Sequence, residues 1–482
     1  MGITKKIKIL FFLLPVLIYA QENNLETTSS FVVDTIIHKV QRKQNLYLIS
    51  KIYKVKVEDI KKYNPQVKGS RLSRKMLLYI PVIRKVESKI VELPKKQDSK
   101  NLLIKNLDFL SVNLIDSVLK KRSIKIALLA PFKLDQIQLD SIENSKVFLK
   151  NLNLTTISLD FYSGAITALN EVKKNGIDFE LVVIDTKNDS NAIKDLLQQI
   201  KVEDFDFIIG PLIPRNINQV SNNSIKSKTP IVSPLSSKEI DIIENVVQSM
   251  PSKSNQRDRM FSHVDSLIID NPDPCVMIIF DNNNISIKDK LVKRFPYAEL
   301  INTDNNNGYV DPEITDSLLV STKKNFVFLE SENLNIITSV SSLLNSQISD
   351  ERKISMMTTF RSDVYENENI SFEHLGNLNF TYPSYYMPVY DNEKVNIFNG
   401  IYLEEFGKRP NKIAIRGYDI TLDLVLRVAT KKKFIKSVEI GETKYLQNKF
   451  NYVPVNKGFI NKSIYLIKHE KLNIVELNNN ND

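Results

Sequence analysis

FDFIIGPLIPRNINQVSNNSIKSKTPIVSPLSS, residues 205–237, is the stretch that decides the fold. The apolar run 205–209 has the length of a buried strand, and Gly210 and Pro211 break it. Residues 217–225 follow with helical spacing, and 230–233 form a second short apolar run. Strand, helix, strand in this compass is a parallel crossover unit.

The same alternation extends outward in both directions. Upstream lie a strand at 124–130 ended by Pro131, a helix at 159–174, a strand at 179–184 and a helix at 192–200. In the first of these helices Tyr162, Ala165, Ile166, Leu169 and Val172 share one face and Gly176 marks the stop. Asp189 and Ser190 supply an N-terminal cap for the second. Downstream a new set begins: a helix at 254–269, strands at 275–280, 298–301, 326–329 and 354–359, and helices at 287–294, 312–321 and 334–344. Near-continuous apolar strands between amphipathic helices predict parallel sheets covered on both faces. Two successive sets predict an α/β protein with two Rossmann-like lobes. The expected first lobe is 123–248 with 391–435, carrying helices at 393–406 and 418–430. The second is 252–386 with the C-terminal strands, before a polar tail at 478–482.

The N-terminal part has a different character. Lys5, Lys6 and Lys8 precede an apolar run from residue 9 to 19, then Ala20 and polar Gln21. This is the pattern of a cleaved signal peptide, 1–20, and the run falls short of the roughly 18–20 residues that span a bilayer. The expected location is the periplasm. Cys275 is the only cysteine, so a lipid-modified cysteine near the cleavage point is excluded, as is an intrachain disulfide. Residues 21–35 are a polar lead, and 84–122 a Lys-rich connector with a helical stretch at 103–119. Between them, 36–83 reads strand (36–40), helix (46–53), helix (57–63), strand (76–80, ended by Pro81). The chain carries a net charge of +10; residues 36–83 hold twelve Lys or Arg against Glu58 and Asp59, while the sequence from Arg84 onward is near neutral. Either the small module attracts an anionic polymer, or it reflects a Lys-rich composition. Nucleic acid is a poor partner for an exported chain without a nucleic-acid motif.

Two family resemblances rest on these segments. HKVQRKQNLYLISKIYKVKVEDIKKYNP, residues 38–65, with LLYIP at 77–81, resembles LysM modules. These are βααβ units that bind N-acetylglucosamine-containing glycan such as peptidoglycan. The resemblance implies a groove between the loops at 41–46 and 65–73, with Gln41, Arg42, Lys43, Gln44, Asn45, Leu46, Asn64 and Pro65 as glycan-binding candidates. The sequence departs from the family at Lys43, Gln44 and Asn45, where glycine, an acid and threonine are usual, and at Arg74 and Lys75, where glycine and glutamine are usual. KIALLAPF (125–132), FYSGAITALNEVKKNG (161–176), VVIDTKND (182–189), the 206–237 block and GYDITLDLVLRVA (417–429) resemble the type I periplasmic binding-protein superfamily, in particular the branch of penicillin-binding-protein activators.

Ligands of open α/β sheets sit at the carboxyl ends of the strands, in the crevice between lobes. That rule nominates Phe132, Lys133, Asp185, Leu212, Arg215, Ser233, Ser236, Ser237, Ser252, Asp281 and Arg361. Amino-acid receptors of the superfamily carry a serine-rich loop after the third strand; here 211–216 has no hydroxyl, leaving Ser236 and Ser237 as donors at the next loop. The chain switches lobes near 248–252 and again near 387–392, which predicts a hinge. No HExxH, GxSxG, P-loop or Cys/His cluster is present, and His38, His263, His374 and His469 are scattered. No enzyme, cofactor or metal site is expected. The sequence therefore points to a peptidoglycan-associated envelope scaffold or regulator with a small-ligand or protein-binding domain; the alternative is a solute-binding protein of an ABC-type importer.

The isolated module 36–83 is expected to pellet with purified peptidoglycan. Groove recognition survives physiological salt, where the Debye length is about 8 Å, whereas attraction between exposed charges alone fades there. Co-sedimentation across a salt series separates the two.

Overall fold

The structure is a computed structural model and describes residues 32–40, 45–53, 55–64, 67, 72, 76–84, 114, 118, 123–137, 141–224, 227–306, 308–389 and 392–477. The signal segment, most of the lead and of the connector, Gln41, Arg42, Lys43, Gln44, Pro65 and the polar tail lie outside them. The chain divides into two compact units, residues 1–93 and 94–482.

In the first unit strands β1 (Val32–Lys39) and β2 (Leu77–Arg84) pair antiparallel, with Ile36 opposite Ile80. Helices Leu46–Tyr53 and Val57–Lys62 lie between them in sequence, the βααβ order expected. Helical spacing brings Leu46, Ile49 and Ile60 into one core with Val40, Leu78 and Ile80. The second strand does not stop at Pro81 but runs on to Arg84, with Pro81 opposite Thr35. In a two-stranded sheet each strand is an edge, and an edge tolerates the missing N–H of proline.

The second unit holds two seven-stranded sheets. Strands β3 (Ile124–Ala130), β4 (Phe179–Asp185), β5 (Phe207–Ile209), β6 (Ile231–Ser233) and β7 (Val246–Gln248) form the parallel body of the first lobe. Strands β8 (Cys275–Phe280), β9 (Glu299–Asn302), β10 (Asn325–Glu330), β11 (Ile354–Met357) and β12 (Thr381–Ser384) form that of the second. A short hairpin, β13 (Thr443–Lys444) and β14 (Lys449–Phe450), precedes β15 (Tyr452–Val455), β16 (Gly458–Asn461), β17 (Tyr465–Glu470) and β18 (Asn473–Glu476). The sheet orders are β15-β16-β7-β6-β5-β3-β4 and β18-β17-β12-β11-β10-β8-β9. Apolar clusters cover both faces of each sheet.

The sheets differ from the expectation in two ways. Each ends in antiparallel strands, β15 on β16 and β12-β17-β18. The C-terminal strands also divide: β17 and β18 join the second lobe as expected, but β15 and β16 extend the first. Gly458 makes this possible, because a Cβ there would fall 2.5 Å from the Val246 carbonyl oxygen on β7. The chain thus passes between lobes three times, after β7, after β12 and after β16, rather than twice. A helix at Ile142–Lys150 also went unanticipated, its pattern being weak beside the helix Leu154–Lys174 that follows.

Helix Lys412–Lys431 matters most for the site. It lies against Leu154–Lys174 closely enough that a Cβ at Gly164 would come within 1.8 Å of the Ala414 oxygen, and one at Gly417 within 2.2 Å of the Phe161 oxygen. Backbone cannot yield to a methyl group as a flexible side chain does. Gly164→Ala and Gly417→Ala are each expected to destabilise the protein by about 3 kcal/mol through overpacking, read as a lower urea midpoint, whereas Gly400→Ala, with open space around it, leaves the midpoint in place.

Candidate functional site

A cavity of about 450 Å³ lies between the two lobes of the second unit. The strands set its walls. The turns after β5 and β6 present Leu212, Ile213, Leu235 and Ser236, and the start of helix Leu154–Lys174 adds Leu154 and Ile157. The second lobe contributes Asp363, Tyr385 and Tyr386. The first crossing adds Met250, the loop 445–448 adds Gln447 and Asn448, and helix Lys412–Lys431 adds Lys412 and Arg416.

Arg416 is 3% exposed. Its Nε donates to the Pro234 oxygen at 3.1 Å, Nη1 to Asn448 Oδ1 at 2.8 Å and Nη2 to Ser249 Oγ at 2.9 Å. The Phe450 ring lies 5.0 Å beneath the guanidinium, which supports a cation that burial disfavours. One turn on, Asp419 accepts from the N–H groups of Leu446, Gln447 and Asn448 and from Asn448 Nδ2, at 2.7–3.1 Å. Burial raises the Asp419 carboxyl to about 6, against the pull of these donors. The loop 445–448 so fixed meets the second crossing through Met387 N–H to the Gln447 oxygen at 2.8 Å. Asn461, at the end of β16, donates to the Ser249 oxygen at 3.0 Å. All three crossings are thereby joined to one helix.

A charged clasp joins the two lobes beside the cavity, at Lys412 and Asp363 of its lining. Lys412 Nζ, on the first lobe, lies 3.0 Å from Asp363 Oδ1 and 3.0 Å from Glu366 Oε2, on the second. Glu366 Oε1 also accepts from the Tyr386 hydroxyl at 2.5 Å and pairs with Arg361 at 3.4 Å. Burial would raise the Glu366 carboxyl, but the hydrogen bonds from Tyr386 and Lys412 and the charges of Lys412 and Arg361 outweigh it and hold the group below its ordinary 4.5.

Of the residues nominated from sequence, Leu212 and Ser236 line this cavity, and Ser236 Oγ accepts from Lys238 N–H. Arg361 stands behind it, on Glu366. The others hold the fold or lie elsewhere. Phe132 is buried against Tyr162. Asp185 accepts from the N–H groups of Lys133, Leu134 and Lys187, so its carboxylate and Lys133 shape a turn at the end of β4. Arg215 reaches Asn188 at an exposed position. Ser233 is buried within β6. Ser252 caps helix Lys253–Asp270, and the Ser237 carbonyl accepts from Lys253 N–H. In the first unit Leu46 belongs to the core, Asn45 is exposed, and Asn64 is buried with its amide bonded to the backbone of Ile60 and Tyr79.

Asp281 lines a separate polar pocket of about 740 Å³ in the second lobe, with Lys253, Arg257, Asp304 and Glu332. Its charges serve one another: Arg257 pairs with Glu330 at 3.0 Å, Lys253 with Glu332, and Asp281 accepts from Asn283 N–H and Asn284 Nδ2. Ser236 and Asp281, nominated to face one ligand, therefore line different cavities. Tyr385, Tyr386, Lys412, Arg416 and Asn448 were missed. The helix containing the last cations was legible from its GYD segment, but its start was placed six residues late, which hid Lys412 and Arg416.

No protein-family description matches the chain, and no curated protein matches it. Solved structures do. A protein from Rhodospirillum rubrum assigned to branched-chain amino acid ABC transport shares 11% identity over 74% of this chain and 100% of its own, with a TM-score of 0.51. The substrate-binding protein LivJ of a branched-chain amino acid transporter from Streptococcus pneumoniae, solved with isoleucine, shares 13% identity over 74% of this chain and 100% of its own, with a TM-score of 0.40. At such identities the likeness is one of fold: the second unit has the two-lobed type I periplasmic binding-protein fold. Among the described residues no helix is long and apolar enough to cross a membrane.

The clasp has a defined pH response. A carboxyl held below its ordinary value contributes stability that is fully present above 4.5 and is lost as pH falls through its lower folded value. With both partners partly exposed, each ion pair contributes about 1 kcal/mol or less. Small-angle scattering is expected to show a constant radius of gyration from neutral pH down to the ordinary 4.5 and an expansion below it. In Glu366→Gln that acid step shrinks.

Proposed function

We propose that the protein is an exported solute-binding protein whose interlobe cavity holds a small ligand, as the binding components of ABC-type importers do. The observation that carries this reading is the cavity itself. Both lobes and two of the three crossings line it, its size falls in the range of small-molecule sites, and its wall mixes apolar side chains with a few convergent polar groups. Lobes joined by short crossings close on a ligand by changing a few backbone dihedrals. The fold shared with transport proteins supports the same reading.

In this reading the N-terminal βααβ module is an accessory that keeps the protein near N-acetylglucosamine-containing glycan. Its paired strands and two short helices support that role. A purely structural scaffold is the less favoured reading, since it gives no reason for a cavity shared between lobes.

A thermal-shift screen of metabolites with the full chain tests the proposal. A ligand specific to the folded state, at a hundredfold excess over Kd, adds about 2.7 kcal/mol and raises Tm by several degrees. Ile213→Arg, which places a long side chain in the cavity, is expected to abolish the shift while leaving the circular dichroism spectrum unchanged. A library-wide absence of binding would return the domain to the scaffold reading.

A further inference from the structure

Resting on the solute-binding reading, we infer that the interlobe cavity is selective for a small organic anion with an apolar body, received by Arg416 and Lys412, and that Asp363 competes with this ligand for Lys412.

Charge comes first. The charged side chains lining the cavity are Lys238, Lys412 and Arg416 against one acid, Asp363. Arg416 carries its charge at the cavity wall with only neutral hydrogen-bond acceptors: the Pro234 carbonyl, Asn448 Oδ1 and Ser249 Oγ. Each terminal guanidinium nitrogen has a second hydrogen beyond these bonds. The acid nearest along the same helix face, Asp419, has both oxygens turned to the 446–448 backbone. Lys238 makes no ion pair among the described residues. A cationic ligand would meet repulsion from Lys238 and Arg416, whose charges no carboxylate pairs among the described residues, whereas an anion supplies what the buried guanidinium lacks.

The remaining wall defines the rest of the ligand. Leu154, Ile157, Leu212, Ile213, Leu235 and Met250 form an apolar surface that fits an aliphatic body better than a polyol.

The clasp explains how the anion gains access to Lys412. Asp363 and Glu366 share this ammonium, but they are not equivalent. Glu366 is also held by Tyr386 and Arg361, and its side chain is 34% exposed. The Asp363 side chain is 79% exposed, so it exchanges Lys412 for water at little cost. A ligand carboxylate can take its place on Lys412 while Glu366 keeps the lobes together.

The test uses the full chain with three matched probe sets: short branched aliphatic carboxylates, the corresponding primary amides and the corresponding amines, compared by calorimetry and thermal shift. Carboxylates are expected to bind about tenfold or more tighter than amides, and amines not at all. Lys412→Met should weaken carboxylate binding about tenfold, and Asp363→Asn should tighten it several-fold by removing the competitor. Arg416→Lys tests the guanidinium if it folds; Lys412→Met, at a partly exposed position, keeps the test valid if it does not. Amides binding as tightly as carboxylates, or amines binding best, overturns the anion inference while the solute-binding reading stands. Failure of every probe overturns it too; discovery of a chemically unrelated ligand would then preserve the solute-binding reading, and a metabolite screen without any ligand would end both.

Discussion

Three segments of chain pass between the lobes, and hydrogen bonds from one helix hold them in register. Arg416 ties Ser249 on the first crossing and Asn448 beside the second; Asp419 fixes the 446–448 backbone; Asn461 brings in the third. One turn further, the fully buried pair Asp423–Arg427, 2.9 Å apart, binds Thr443, Tyr445 and the Phe450 carbonyl. Between Lys412 and Lys431 at its ends, the helix that carries these four charges is buried along most of its length, mainly among apolar side chains. Charges in such a place are expensive to desolvate, and breaking one side of a buried pair costs roughly 3–5 kcal/mol. Each is retained here by donors and acceptors from segments distant in sequence, so the network exists only when the whole hinge is assembled.

The consequence is a division of labour within one unit. The parallel sheets and their apolar clusters form the two lobes, and the polar network ties together the segments that join them. The cavity sits at that meeting point, so its shape depends on the hinge more than on either lobe. The clasp beside it is of another kind. Lys412, Asp363 and Glu366 are partly exposed, contribute little each, and respond to salt and acid. A firm buried network on one side and a weak charged contact on the other are the combination that the proposed closure on a ligand requires.

Much of the scaffold was legible. The strand Cys275–Phe280 and the helices Leu46–Tyr53 and Glu393–Phe406 match their sequence patterns residue for residue. Burial on both faces writes a strand as an apolar run, and burial on one face writes a helix as a stripe, so local pattern records them directly. Strands β7 and β12 were missed, being short runs of three and four residues with polar members, Gln248 and Ser384. Sites fared worse. Asp185 and Ser252 lie at strand or helix ends as a ligand-binding residue would, yet their oxygens accept from backbone N–H groups of neighbouring turns. A polar residue at the end of an element looks the same in sequence whether it serves a ligand or a turn.

The sequence by itself determined the α/β alternation, the two lobes, the separate basic βααβ module and the absence of familiar catalytic motifs, because these are recorded in periodicity and composition. Tertiary structure alone decided which edge each C-terminal strand joined, that there are three crossings, and that Arg416, Lys412, Tyr386 and Asn448 share a cavity with Leu212 and Ser236. Those contacts join residues far apart in the chain. They depend on close approaches such as Gly458 to β7 and on satisfying buried charge across segments, and no local pattern carries that information.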